Sequence, residues 1–117
     1  MLVNPIPKKQ YKKQKKKHEP PLFPQGFCYR CYWRYGIKHT VGLDKHHIYG
    51  AANRPLSEQY GLYVSLCNEF QGEQCHLKVT NEKDREFIDH LKQEGQWRFE
   101  ERYSRQEFVK VFGRNCL

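Results

Sequence analysis

The stretch Leu43-Asp44-Lys45-His46-His47-Ile48-Tyr49-Gly50 places two adjacent histidines before a branched apolar residue, and it organises the rest of the chain. Ligand-type residues bracket it on both sides. Cys28 and Cys31 form a Cys-x-x-Cys pair upstream, and Cys67, Cys75 and His76 follow downstream. Thr40, Val41, Leu43 and Ile48 predict a short strand that turns at Gly42 and runs through the histidines. Neighbouring side chains of a strand point to opposite faces, so His46 and His47 are expected to have different jobs.

Further along, Leu62 to Leu66 alternates apolar and more polar positions, which predicts a second strand, antiparallel to the first, that delivers Cys67 at its end. Between the two strands, Ala51 to Pro55 reads as a loop. Ser57 to Gly61 reads as a single helical turn capped by Ser57 and ended by glycine. After a polar loop from Asn68 to Gln74, Cys75 and His76 stand near the start of a helix whose first residue, His76 or Asn81, the pattern leaves open. Phe87, Ile88 and Leu91 share one face at helical spacing, and Gly95 is expected to break or bend that helix. Ser104-Arg105-Gln106-Glu107 is a capping box that opens a last helix, with Phe108, Val109, Val111 and Phe112 as its apolar stripe and Gly113 as its stop.

The chain of 117 residues has room for one domain with a small core, and a core of that size calls for a staple. A mean hydropathy of −0.98 and the lack of a long apolar run argue against a membrane protein. The N-terminus shows no apolar signal-peptide core, so an intracellular protein with reduced cysteines is expected. Metal ligation is then the favoured use of the cysteines, with an exported, disulfide-linked form as the minority reading. Four of the five, Cys28, Cys31, Cys67 and Cys75, form two pairs suited to a closed four-thiolate structural zinc site that would hold the small core together. The second pair is seven residues apart, so a fold that leaves one pair unused is the competing reading. Cys116 has no partner and reads as a free thiol.

The formal charge of +8 points to a polyanion as partner. Seven lysines between Lys8 and Lys17, among them Lys12, Lys13, Lys15, Lys16 and Lys17, carry nearly all of it; without them the balance is +1. Residues 1–25 therefore read as a disordered basic arm able to contact phosphates through counterion release, and 26–117 as the folded domain. A solubilising tail is the plainer alternative. From Phe27 to Tyr35, aromatic rings and two arginines surround the Cys-x-x-Cys turn, whose backbone amides can face the sulfurs. Those rings are expected in the core more than in base stacking.

The succession Cys-x-x-Cys, His46-His47-Ile48, a strand ending Leu66-Cys67, and Cys75-His76 opening a helix resembles the HNH endonuclease family. The likeness runs from Cys28 to Thr80, and His-His-Ile-Tyr-Gly, Asn-Arg, Leu-Ser-Glu and Tyr-Gly-Leu resemble the small HNH proteins of bacteriophages and prophages. The resemblance implies an α+β chain with a ββα-metal domain, a treble-clef-like zinc knuckle and C-terminal helices. It implies a metal-dependent DNA endonuclease in the cytoplasm of a bacterial host. His47 would be the general base, and His46 and His76 would hold a catalytic divalent ion, Mg2+ or Mn2+, with Ni2+ or Zn2+ as further options. Arg54 is the candidate phosphate contact. Leu62 stands where the family has its middle asparagine, and Asn53 is the nearest asparagine that could orient the loop or His47. Thr80, a poor ligand, stands where a further helix ligand is expected. The alternative is a non-catalytic, zinc-containing nucleic-acid-binding module or phage accessory protein on the same fold.

Overall fold

The computed structural model describes residues 18–117. Among them are a two-stranded sheet and five α-helices, so the chain is of mixed α and β class. Strands β1 (Leu43–His47) and β2 (Tyr63–Cys67) pair antiparallel, with Leu43 opposite Cys67 and His47 opposite Tyr63. The expected second strand is confirmed one residue further along. Gly42, at φ +55°, makes the turn into β1, because a left-handed backbone suits glycine.

Helix α1 (Tyr29–Tyr35) begins on Cys28, whose sulfur accepts the Cys31 N–H at its N-terminus, and ends on left-handed Gly36. Between the strands, one 3-10 turn (Ala51–Asn53) leads into α2 (Arg54–Gln59). This corrects two expectations. The segment read as a loop is helical from Arg54, where Pro55 fits the first turn because it needs no intrahelical N–H partner. Ser57 is no cap; it is buried inside α2, and its hydroxyl donates to the Tyr49 carbonyl (2.8 Å) while accepting the Tyr49 N–H (3.0 Å). That pair fastens α2 to the chain just after the histidines.

Helix α3 (Cys75–Thr80) packs on β2, and the open question of the helix start resolves into two helices. Glu82, at φ +56°, interrupts the path, and Asp84 caps the long α4 (Arg85–Arg102) by accepting the Phe87 N–H. Phe87, Ile88 and Leu91 are buried as expected. The capping box is confirmed: Ser104 Oγ accepts the Glu107 N–H at 3.0 Å and opens α5 (Arg105–Phe112). Its buried stripe is Phe108 and Phe112, while Val109 lies exposed. These rings pack with Tyr49 and Phe99 at centroid separations of 4.8–5.9 Å, and Phe112 meets Tyr60 at 6.2 Å.

The boundary expected near residue 25 lies earlier. Phe23 is only 2% exposed, and the Glu19 and Leu22 amides donate to the Gln59 and Gly61 carbonyls, so residues 19–23 belong to the packed domain. Lys12, Lys13, Lys15, Lys16 and Lys17 lie outside the described residues.

Gly95 does not break its helix; α4 continues through it. Its role is close approach: a Cβ there would meet Tyr49 Oη at 2.7 Å and Cζ at 3.4 Å, so only glycine lets α4 come so near the end of β1. Gly95→Ala should therefore destabilise the protein by about 1–3 kcal/mol in chemical denaturation, the usual cost of overpacking. The intrinsic helix preference for alanine, about 1 kcal/mol, acts in the opposite direction. A stabilised variant would show that Tyr49 withdraws freely.

Candidate metal centre and histidine cleft

The knuckle at Cys28 and Cys31, the end of β2 and the start of α3 bring Cys28, Cys31, Cys67 and Cys75 together, with all four sulfurs within 4.8 Å of one another. All four are buried. The Cys31 sulfur lies 3.9 Å from that of Cys67 and 3.6 Å from that of Cys75. A tetrahedron of thiolates about 2.3 Å from a zinc ion has edges of about 3.8 Å, so the cluster has the dimensions to hold a metal of that kind. Its electrostatics ask for a cation. Hydrogen bonding from the Cys75 thiol, helped by the Cys31 and Cys67 amides, lowers the Cys28 thiol to about 4. Burial raises Cys31 to about 12, and the bond to Cys28 together with burial raises Cys75. Without a cation the pocket accommodates one thiolate well and resists the others.

Two side chains outside the ligand set aim N–H groups at the sulfurs. Arg30, only 4% exposed, donates from Nη1 to Cys75 Sγ (3.3 Å) and to Glu73 (2.9 Å), and from Nε to Asp84 (2.7 Å). His39 stacks on Phe70 with ring centroids 3.6 Å apart. Its Nδ1 accepts the Val41 N–H at 3.2 Å, which leaves the proton on Nε2, 3.4 Å from Cys31 Sγ. Such donors orient thiolates and offset their charge. Neither residue stands out in the sequence, since a lone arginine or histidine carries no spacing signal.

The histidines separate as expected. His46 and Asp44, two apart on β1, lie on the face met by α3: His46 and His76 have ring centroids 5.5 Å apart, and Asp44 Oδ2 lies 3.4 Å from His76 Nδ1. Burial, aided by the cationic Lys92 and Arg54 and by the nearby His76 and His47 rings, lowers His46 to about 4. It is thus a neutral imidazole near pH 7, the form that binds a metal. Asp44 was missed, although the period of two that separated the histidines also puts residue 44 on the face of residue 46.

His47 and Lys45 lie on the other face, against Glu58 of α2. Glu58 Oε1 is 2.7 Å from His47 Nε2, and its oxygens are 3.2 Å from Lys45 Nζ. The bond to His47, helped by Lys45, lowers the Glu58 carboxyl from its ordinary value, so Glu58 is an acceptor. Nε2 must then carry the proton, which leaves the Nδ1 lone pair of a neutral His47 free. Because His47 ends β1, both histidines reach one open cleft of about 790 Å³, together with His76, Thr80 and Arg54.

Arg54 thus stands beside the histidines. Asn53 does not: its amide donates to the Phe112 carbonyl at 3.1 Å and fastens α5, so it does not orient His47. Glu58 holds that ring instead. Thr80 turns its hydroxyl back to the His76 carbonyl (2.7 Å). Cys116 is a free, half-buried thiol. No helix among the described residues is long and apolar enough to cross a membrane. Compared with family models, curated proteins and solved structures, the chain gives no match.

Hydrogen bonding from Arg30, joined by Lys78 and Tyr35, holds the Glu73 carboxyl at about 2, against an ordinary 4.5. Its lowered value means that its contribution to stability is complete above about pH 4.5 and fades as pH falls towards 2. Arg30→Met should flatten that acid limb of a stability-against-pH curve and cost about 3 kcal/mol at neutral pH, since it leaves Glu73 and half-buried Asp84 short of a buried partner and removes an N–H donor from the sulfur cluster. Cys67→Ser should abolish stoichiometric metal in the purified protein, measured by elemental analysis, and lower its melting temperature. A metal content unchanged from wild type would exclude the cysteine cluster as the site.

Proposed function

We propose that the chain is a metal-dependent DNA endonuclease of HNH type, built on a ββα-metal core whose cysteine cluster holds a structural zinc ion. The observation that supports this reading is the placement of the two histidines: His46 facing His76 and Asp44 on one side of β1, and His47 bonded through Nε2 to Glu58 on the other. In this reading, His47 Nδ1 takes a proton from the water that attacks phosphorus, and the phosphodiester bond to the 3′ oxygen breaks. Glu58 keeps Nε2 protonated, then stabilises the imidazolium that forms. His46 and His76, with Asp44 as a further donor, would hold a divalent ion, Mg2+ or Mn2+. When bound, that ion supplies Lewis-acid stabilisation of the charge developing on the phosphate and leaving oxygen. Arg54 contacts substrate phosphate. The basic run Lys12 to Lys17 adds non-specific affinity.

His47→Ala should abolish plasmid nicking supported by Mg2+ or Mn2+ while zinc content and DNA affinity persist. Glu58→Ala should lower kcat about 10- to 100-fold with little change in KM, and Glu58→Gln, whose carbonyl can still accept the Nε2 proton, should recover part of the loss. No nicking by the wild type with any of several divalent ions would overturn the enzyme reading. A zinc-bound nucleic-acid-binding module would take its place. The observation in favour of that second reading is Thr80, whose hydroxyl is committed to the backbone and leaves the α3 side of the ion with His76.

A further inference from the structure

The described chain holds eight arginines, and six of them, Arg30, Arg34, Arg85, Arg98, Arg102 and Arg105, lie in ion pairs with carboxylates. The other two, Arg54 and Arg114, make no ion pair among the described residues, and both line the histidine cleft. So does Lys92, likewise without an ion pair among these residues. One acid, Glu82, lines the same cleft. Three cations from three separate elements thus face one opening without local neutralisation. Like charges brought together this way destabilise a fold slightly, and an anion relieves the repulsion.

Two of the three come from the C-terminal extension, residues 82–117, and the fold fixes each of them. The Lys92 carbonyl accepts the Tyr49 hydroxyl at 2.6 Å, and the close approach that requires Gly95 one turn later presses α4 against the same ring. Arg114 follows left-handed Gly113, on a segment clasped by fully buried Gln96. Gln96 Nε2 donates to Asn115 Oδ1 (2.8 Å), and Gln96 Oε1 accepts the Cys116 N–H (2.6 Å). The Asn53 amide ties Phe112 from the other side.

We propose that Lys92 and Arg114 of the C-terminal extension, together with Arg54, form a clamp for the DNA backbone phosphates that flank the histidine site. The extension thereby becomes part of the substrate-binding surface. This rests on the nuclease reading for the identity of the polyanion as DNA, while the clamp itself is read from the cleft's charge. Phosphate contacts position a duplex without reading its sequence, so the clamp acts on register and affinity alike for all sequences.

The test is the salt dependence of binding of the full-length protein to a fluorescent duplex DNA, without added divalent ion so that no turnover occurs. Removing one cation that pairs with a phosphate should lower the slope of log Kobs against log salt by about 0.9. Lys92→Gln with Arg114→Gln should therefore lower it by about 1.8 and weaken binding, and Lys92→Arg with Arg114→Lys should restore it. Lys83→Gln with Lys110→Gln removes the same charge outside the cleft and should leave the slope at the wild-type value. An unchanged slope in the cleft variant, or an equal fall in the control pair, would overturn the clamp. Both cleft side chains reach solvent; should the double variant fail to fold, Arg114→Gln alone carries the test at half the change. Intact nicking with an unmoved slope would sink the clamp and spare the nuclease reading. A lowered slope in a protein that never nicks would do the reverse.

Discussion

Everything in the domain depends on four sulfurs sharing one buried space. They bring together the knuckle before α1, the last residue of β2 and the first of α3, three points far apart in sequence. A two-stranded sheet is marginal by itself, and here its end is fixed by Cys67. The helix that brings His76 to His46 starts on Cys75. The geometry of the histidine face is thus inherited from the cysteine cluster one residue away. Burying several thiolates is costly without a cation, so a metal held there would make the order of this core dependent on the ion. Arg30 supplies part of that neutralisation from within the protein, and its guanidinium carries the tie onward to Asp84 at the start of α4.

Much of this was legible in the sequence because the relevant signals are local. A period of two set the strands and separated His46 from His47. The Cys-x-x-Cys spacing set the knuckle, and Ser104 with Glu107 set the final helix. What stayed hidden depended on partners distant in sequence. Glu58 becomes the companion of His47 only when α2 folds beneath β1, and no pattern around Glu58 says so. Gly95 follows the rule for a helix breaker, yet tertiary packing on Tyr49 overrides that local preference. Ser57 looks like a cap because caps are the usual use of serine near a helix start, whereas burial gives its hydroxyl the backbone of Tyr49. Asn53 shares the fate of many polar residues in small proteins, being committed to holding an extension in place.

The cleft is assembled from two layers. The hairpin and α3 supply the histidines and Asp44, while α4 and the segment after α5 supply much of the surrounding positive charge. Tyr49 connects the layers: it follows the histidines by two residues, its hydroxyl binds Lys92, and its ring lies among Phe108 and Phe112. Burial raises that hydroxyl well above the ordinary tyrosine range, so it remains a donor throughout the working pH range. Altering the aromatic cluster should reach the histidines through this one side chain.

Glu19 is hydrogen-bonded to Gln59, the residue after the carboxylate that holds His47. The lysine run ends at Lys17, two residues before that anchor. Any pull on the chain at residue 19 is therefore passed to α2, the helix whose Glu58 holds the His47 ring.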